Sequence, residues 1–276
     1  MSDRAVALGT FDGVHRGHRR VIEAAQSSVL PTTVVTFDPH PRIALGNKVE
    51  LLTTLERRLE LLRELGVDVH VVPFTAELAL LAPEEFAGSV LRPLGTTVVA
   101  AGENFRFGRG RSGDLDTLAE LGFDVRRVSL VEGISSSRIR QLLGAGEIEG
   151  AAELLGRPPE VEGTVVAGDA RGGTLGFPTA NLAVPGDLIV PAYGIYAGEA
   201  GGHRAAISIG VNPHYGGEER RVEAFLLDFE GDLYGERLVL ELWERLREEQ
   251  AFSSEQELID QIARDVDAAR AAKRPS

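Results

Sequence analysis

Ala5-Val6-Ala7-Leu8-Gly9-Thr10-Phe11-Asp12-Gly13-Val14-His15-Arg16-Gly17-His18 leaves a short apolar strand through a glycine turn and enters a helix. The pattern repeats downstream. Thr33–Phe37, Val67–Val72, Thr97–Ala101 and Asp124–Val128 read as further strands, each bounded by Gly, Pro or Asp. Arg16–Ala25, Thr54–Leu65, Pro83–Leu91 and Asp114–Leu121 read as the helices between them, with Leu55, Leu59, Leu62 and Leu65 at helical spacing. This βαβ rhythm predicts an α/β domain, a parallel sheet with helices on both faces. Ligands of such sheets lie beyond the carboxyl ends of the strands, so the loops that leave the strands should carry function.

From Ser135 to Leu155 the chain reads as helix, and Gly156-Arg157-Pro158-Pro159 breaks it. A different texture follows: Val161–Ala167, Gly194–Ala197, Ala205–Gly210, Val222–Phe229 and Leu238–Leu242 read as strands separated by turns rich in Gly, Pro and Asp. Consecutive strands joined by turns predict a small antiparallel β-barrel. A C-terminal helix then opens on the capping box Ser254-x-x-Glu257, with Leu258, Ile262 and Val266 on its expected buried face. The expected division is residues 1–156 and 157–276, with the boundary near 156–160.

Composition limits the chemistry. The 276 residues are 43% hydrophobic and 26% charged, a globular balance. There is no cysteine, which excludes disulfides, thiolate nucleophiles, Fe–S clusters and cysteine-based zinc sites. The net charge of −13 argues against general nucleic-acid binding. Lysine occurs only at Lys48 and Lys273, and no G-x-x-x-x-G-K-[ST] is present. Any ATP must be held by histidine, arginine, backbone amides and a metal. No apolar run reaches the ~18 residues of a membrane span, and the run after Met1 is too short for a signal-peptide core. A cytoplasmic protein with no membrane and no nucleic-acid partner is expected.

His15 and His18 stand three apart, on one face of the first helical turn, with Gly17 between them leaving room for a ligand to approach the backbone. The helix N-terminus adds amides and partial positive charge, suited to an α-phosphate and a leaving pyrophosphate. The plainer alternative is a strand–helix turn with two surface histidines; the paired spacing favours the phosphate. Gly9 to His18 resemble the H-x-G-H signature of the nucleotidyltransferase superfamily, in the wording of bacterial FAD synthetases. Thr36-Phe37-Asp38-Pro39-His40-Pro41, Gly102-Glu103-Asn104-Phe105-Arg106-Phe107-Gly108 and Ile134-Ser135-Ser136-Ser137-Arg138-Ile139-Arg140 match further motifs of that family. Ser137 stands where threonine is common, and keeps the hydroxyl.

Each motif also has a reading of its own. Asn104 offers donor and acceptor for a ribose or phosphate. Phe105 and Phe107 either pack on an aromatic ligand or anchor their loop in the core. Arg106, Arg109 and Arg111 either hold phosphate or form a solvated turn. Ser135–Ser137 cap a helix, while Arg138 and Arg140 run against its dipole and invite an anion. The resemblance implies a Rossmann-like nucleotidyltransferase domain that adenylylates FMN. His15, His18 and Arg140 would serve in-line attack of the FMN phosphate on ATP. Gly9, Phe11, Asp12, Asn104, Ser136 and Ser137 would bind ATP or flavin.

In the second half, Gly168-Asp169-Ala170-Arg171-Gly172-Gly173 can wrap a phosphate with backbone amides. In Thr174-Leu175-Gly176-Phe177-Pro178-Thr179-Ala180-Asn181, the side chains of Thr179 and Asn181 point the same way from an extended segment as neutral oxygen donors. A glycine-rich hairpin is the alternative. Glu223, a lone carboxylate in Val222–Leu227, is expected on a strand buried on both sides. It is either a general base with a burial-raised pKa or a structural partner of Arg220 or Arg221. Gly-Phe-Pro-Thr-Ala-Asn resembles the signature of riboflavin kinases. Pro191–Ala197, Ile209–Pro213 and Asp232–Gly235 match too, while His214-Tyr215 replaces the usual Thr-Phe. The resemblance implies a riboflavin kinase barrel in which Glu223 is the catalytic base, Thr179 and Asn181 hold Mg²⁺, and Gly168, Gly173 and Gly176 line the ATP/flavin site. The full expectation is a bifunctional enzyme with riboflavin, FMN and FAD as substrates or products and ATP as co-substrate. A chain with one degenerate half, or a non-catalytic flavin or nucleotide sensor, is the alternative; the presence of every named group in both halves disfavours both.

Overall fold

The computed structural model describes residues 2–168, 177–211 and 220–275. Gly173, Gly176, His214 and Tyr215 lie outside the described residues. The chain divides into two compact units, residues 1–136 and 137–276.

The first unit runs β1 (Arg4–Leu8), α1 (Arg16–Gln26), β2 (Thr32–Asp38), α2 (Pro41–Ala44), α3 (Leu55–Arg63) and β3 (Asp68–Pro73). It continues through α4 (Ala76–Leu80), α5 (Pro83–Phe86), β4 (Thr96–Gly102), α6 (Leu115–Glu120) and β5 (Asp124–Val128). The strands form one sheet in the order β3-β2-β1-β4-β5, and all four pairings are parallel. β1 is central and reads as an unbroken apolar run because both its faces are covered. Val6 and Leu8 pack with Val35, Phe37, Phe86, Leu91 and Leu118 on one side. On the other, the small Ala5 and Ala7 sit in a core with Val21, Ile22 and Ala25 of α1 and Leu61 and Leu62 of α3. Each fully buried Leu or Ile contributes about 1.5–3 kcal/mol. The sheet grows outward from β1 to β3, then returns to the other flank of β1 with β4. Its switch point is therefore the crevice beyond the carboxyl ends of β1 and β4.

The second unit holds α7 (Ser136–Ala145) from Ser137 onward, then α8 (Ile148–Leu155), β6 (Glu160–Val166), β7 (Ala180–Ala183), β8 (Gly194–Ala200), β9 (His203–Val211), β10 (Arg220–Leu226), β11 (Arg237–Arg247) and α9 (Glu255–Ala271). The single helix expected over 135–155 is two helices. Gly146 takes φ +77°, a left-handed residue that ends α7, and its amide donates to Leu143 O. The six strands close an antiparallel barrel in the order β10-β7-β6-β11-β8-β9. Val222, Ala224 and Leu226 face Ile209, Ile207 and Ala205 across β10–β9 and fill its interior.

Two further expectations need correction. β10 ends at Leu226, and Asp228 turns the chain with φ +57°. On α9 the deeply buried residues are Asp265 and Ala269, while Leu258, Ile262 and Val266 are half-buried. Asp265 is buried because Arg247 of β11 grips it with Nε and Nη2, at 3.0 and 2.7 Å. Ser254 caps the helix by accepting from Glu257 N–H, but the Glu257 carboxylate turns to Ser253.

Candidate active sites

The loop leaving β1 is built from unusual backbone. Phe11, Gly13 and Val14 have φ of +52°, +82° and +41°. Left-handed conformations at non-glycine residues cost about 1–3 kcal/mol each and persist where neighbours enforce them. The enforcing contacts are visible. Asp12 is buried, and its Oδ1 accepts from the Leu52 and Thr53 amides at 2.9 and 3.3 Å. Gly13 N–H donates to Thr53 Oγ1, and Ser136 Oγ donates to Asp12 O. Asp12 thus latches the loop to the chain before α3.

His15 caps α1: its Nδ1 accepts from His18 N–H at 3.2 Å. With Nδ1 accepting, the ring N–H of His15 is at Nε2. The two imidazoles stack, with centroids 3.6 Å apart and planes 13° apart. Phe11 lies against His18 at 5.2 Å. The pKa of His18 is held well below the ordinary imidazole value of 6.5, first by burial, then by His15 and Arg58. Its Nδ1 is buried without a hydrogen-bond partner among the described residues. Gly17 also lies under the His15 ring, where a Cβ would make a tight contact at 3.1 Å. Gly9 likewise underlies the Phe11 ring, 3.3 Å from where its Cβ would be. The first turn of α1 carries no acidic residue, so its partial positive charge stays available for an anion.

Arg58, which no sequence motif marks, is buried on α3 at 2% exposure. Its Nη1 donates to Thr10 O at 3.1 Å and its Nη2 to Phe37 O at 3.1 Å. It therefore joins the carboxyl ends of β1 and β2. Only its place on the core-facing side of a leucine-rich helix hints at this from sequence.

Beyond β4, Asn104 is exposed beside the crevice. Phe107 is buried against Phe86 and stacks on Phe105, so of the two readings loop anchoring holds for Phe107. Arg106, Arg109 and Arg111 are exposed along the same loop. Ser137 and Arg140 stand in the first turns of α7, Ser137 exposed and Arg140 half-buried.

The second constellation lies on the barrel. Glu223 of β10 pairs in register with Asn181 of β7 on one side and Ser208 of β9 on the other, so a polar row crosses three strands. Thr179 Oγ1 donates to Glu223 Oε2 at 3.3 Å, and Arg221 Nη1 to Oε1 at 3.3 Å. The strand is not buried on both sides. Val222, Ala224 and Leu226 turn inward, while Arg221, Glu223 and Phe225 alternate outward, leaving the Glu223 side chain 28% exposed. Phe177 meets Phe225 edge-on at 5.4 Å and borders the row. Gly168 is a close-approach glycine, because a Cβ would fall 2.1 Å from the Asn181 amide nitrogen. Thr179, Asn181, Glu223 and Gly168 therefore come together. Two neutral oxygen donors beside a carboxylate fit a hard divalent cation shared with phosphate oxygens.

An FAD synthetase family model matches residues 1–140, and a riboflavin kinase family model matches residues 155–273. The chain is 38% identical to the bifunctional riboflavin kinase/FMN adenylyltransferase of Listeria monocytogenes, over 98% of this chain and 92% of that protein. Similarity to the enzymes of the same description from Bacillus subtilis and Escherichia coli K12 is 36% and 38%, over 94% and 96% of this chain and 89% and 91% of theirs. A crystal structure described as a macrolide-efflux protein from Streptococcus pneumoniae aligns with TM-score 0.87 and 32% identity, over 98% of this chain and 95% of its own. That description is the relative's; among the described residues here, no helix is long and apolar enough to cross a membrane.

Proposed function

The chain belongs to the family of bifunctional riboflavin kinase/FMN adenylyltransferases, converting riboflavin to FMN and FMN to FAD, and we propose that ATP serves both steps at two separate sites. The first site is the β1 exit loop, to which Ser136 is bonded. There the FMN phosphate attacks the α-phosphorus of ATP in line, and pyrophosphate leaves with the electrons of the broken P–O bond. His15 and His18 stabilise charge on the phosphoryl oxygens, and Ser136, Ser137 and Arg140 grip the triphosphate. Gly9, Phe11 and Asn104 border the ligands, while Asp12 acts through the loop it latches. The observation that carries this reading is the stacked imidazole pair at a helix N-terminus whose first turn carries no acidic residue.

At the second site Glu223 takes the proton of the terminal ribityl hydroxyl, whose oxygen attacks the γ-phosphorus of ATP and releases ADP. Thr179 and Asn181 would hold Mg²⁺, which supplies charge neutralisation on the phosphate oxygens; Gly168 leaves the space that Asn181 needs. Gly173 and Gly176 complete this proposed site from outside the described residues. The convergence of Thr179 and Asn181 on Glu223 supports it.

In functional terms we divide the chain at 156/157, because α7 carries Ser137 and Arg140 of the adenylylation site. The family matches leave 141–154 to neither model, and the compact units divide at Ser136. The proposal includes a cytoplasmic location, where ATP and Mg²⁺ are abundant. Incubating the protein with riboflavin, ATP and Mg²⁺ and separating the flavins tests it. FMN followed by FAD is expected, with both halted by EDTA; accumulation of neither flavin, or turnover indifferent to the metal, would refute it.

A further inference from the structure

Arg58 plays no part in the chemistry described above, yet it is the most deeply placed cation beside the β1 loop. We infer that Arg58 is a positioning residue for adenylyl transfer, its planar fork spanning the carbonyl ends of β1 and β2 and fixing the loop that presents His15 and His18. The inference rests on reading that loop as the adenylylation site.

Thr10 O receives two donors, Arg58 Nη1 at 3.1 Å and Thr36 Oγ1 at 2.9 Å. The next residue, Phe11, is the first of the left-handed positions and packs on His18. The other Arg58 amino group holds Phe37 O at 3.1 Å. One rigid group therefore sets the spacing between the carboxyl ends of β1 and β2, which lysine cannot do because its ammonium is a single point on a flexible stem. A buried cation is costly unless paired; Asp12 of the loop and Asp38, the latter at 3.9 Å, supply the negative charge that offsets it.

The charge also reaches the histidines. His18 faces His15 from its own helix end and Arg58 from α3, with Asp12 of the loop and Asp38 of β2 acting on Arg58. Losing the cation should therefore make His18 easier to protonate, whereas a lysine should not.

The test compares Arg58→Lys, Arg58→Met and the control His18→Ala, measuring FAD formation from FMN across pH and FMN formation from riboflavin. Arg58→Lys should lower kcat for FAD formation about 10- to 100-fold, with KM for FMN little changed and the acid limb of the profile in place. Arg58→Met should lower kcat at least as far and move the acid limb to higher pH. FMN formation should be unaffected in both. Hydrogen exchange of the first unit gives its folded fraction. Wild-type kcat in the lysine variant, a loss in proportion to unfolding, or an unmoved acid limb in a folded methionine variant overturns the inference. If the methionine variant does not fold, the kcat and KM of the lysine variant decide alone. If His18→Ala itself makes FAD normally, the reading of the loop fails instead, and the two failures are told apart.

Discussion

His18 sits where a positive charge is expensive, with a second imidazole stacked on it and a guanidinium behind it. Its folded-state pKa lies below the ordinary value of 6.5, so the unfolded chain binds this proton more readily than the folded one. Stability must therefore rise with pH across that window and fall as pH drops below about 6.5. Replacing His18 with Gln should flatten this slope in denaturant titrations at pH 5 and 7, and an unchanged slope would contradict the assignment. His18→Ala should reduce FAD formation by about 10²–10³ in kcat, the scale for losing one preorganised donor. On the barrel, Gly168→Ala sets a methyl on the Asn181 amide and should depress FMN formation while FAD formation from FMN persists. Kinase activity equal to wild type in that variant would remove Asn181 from the site. At this scale the histidine pair was legible because its spacing and its place after a strand are local. The roles of Gly17, Asp12 and Arg58 were not. Gly17 is read from the ring that overhangs it, and Asp12 and Arg58 act on residues 40 and 48 positions away.

At the scale of elements, β8 and β11 approach so closely that glycine is required at Gly198, where a Cβ would lie 1.9 Å from Glu241 O. Gly198→Ala should cost the barrel about 1–3 kcal/mol or more, seen as an earlier melt of that unit with loss of FMN formation. A variant with a wild-type melt would mean the strands can part without cost. The parallel sheet followed from the alternation of apolar runs and helices, and the barrel from consecutive strands with turns. Two breaks did not follow. Gly146 interrupts an apolar pattern that continues on both sides of it, so periodicity alone ran one helix through to Leu155. Asp265 is polar and yet buried on α9, because a distant arginine on β11 satisfies it. Glu223 stands out in the sequence as the one carboxylate of Val222–Leu227. Its strand was misjudged because the large Phe225, turned outward beside Phe177, made both faces look apolar.

For the whole molecule, the central claim is that one chain carries two chemistries with separate residues: imidazoles for the inner phosphorus of ATP, a carboxylate and oxygen donors for the outer one. The most direct measurement gives riboflavin, ATP and Mg²⁺ to His18→Ala, to Glu223→Ala and to their mixture, and follows flavins by chromatography. The account predicts that His18→Ala stops at FMN, that Glu223→Ala leaves riboflavin untouched yet converts added FMN to FAD, and that the mixture makes FAD. If each variant lost both reactions, or the mixture made no FAD, the two sites would not be independent and the account would be wrong.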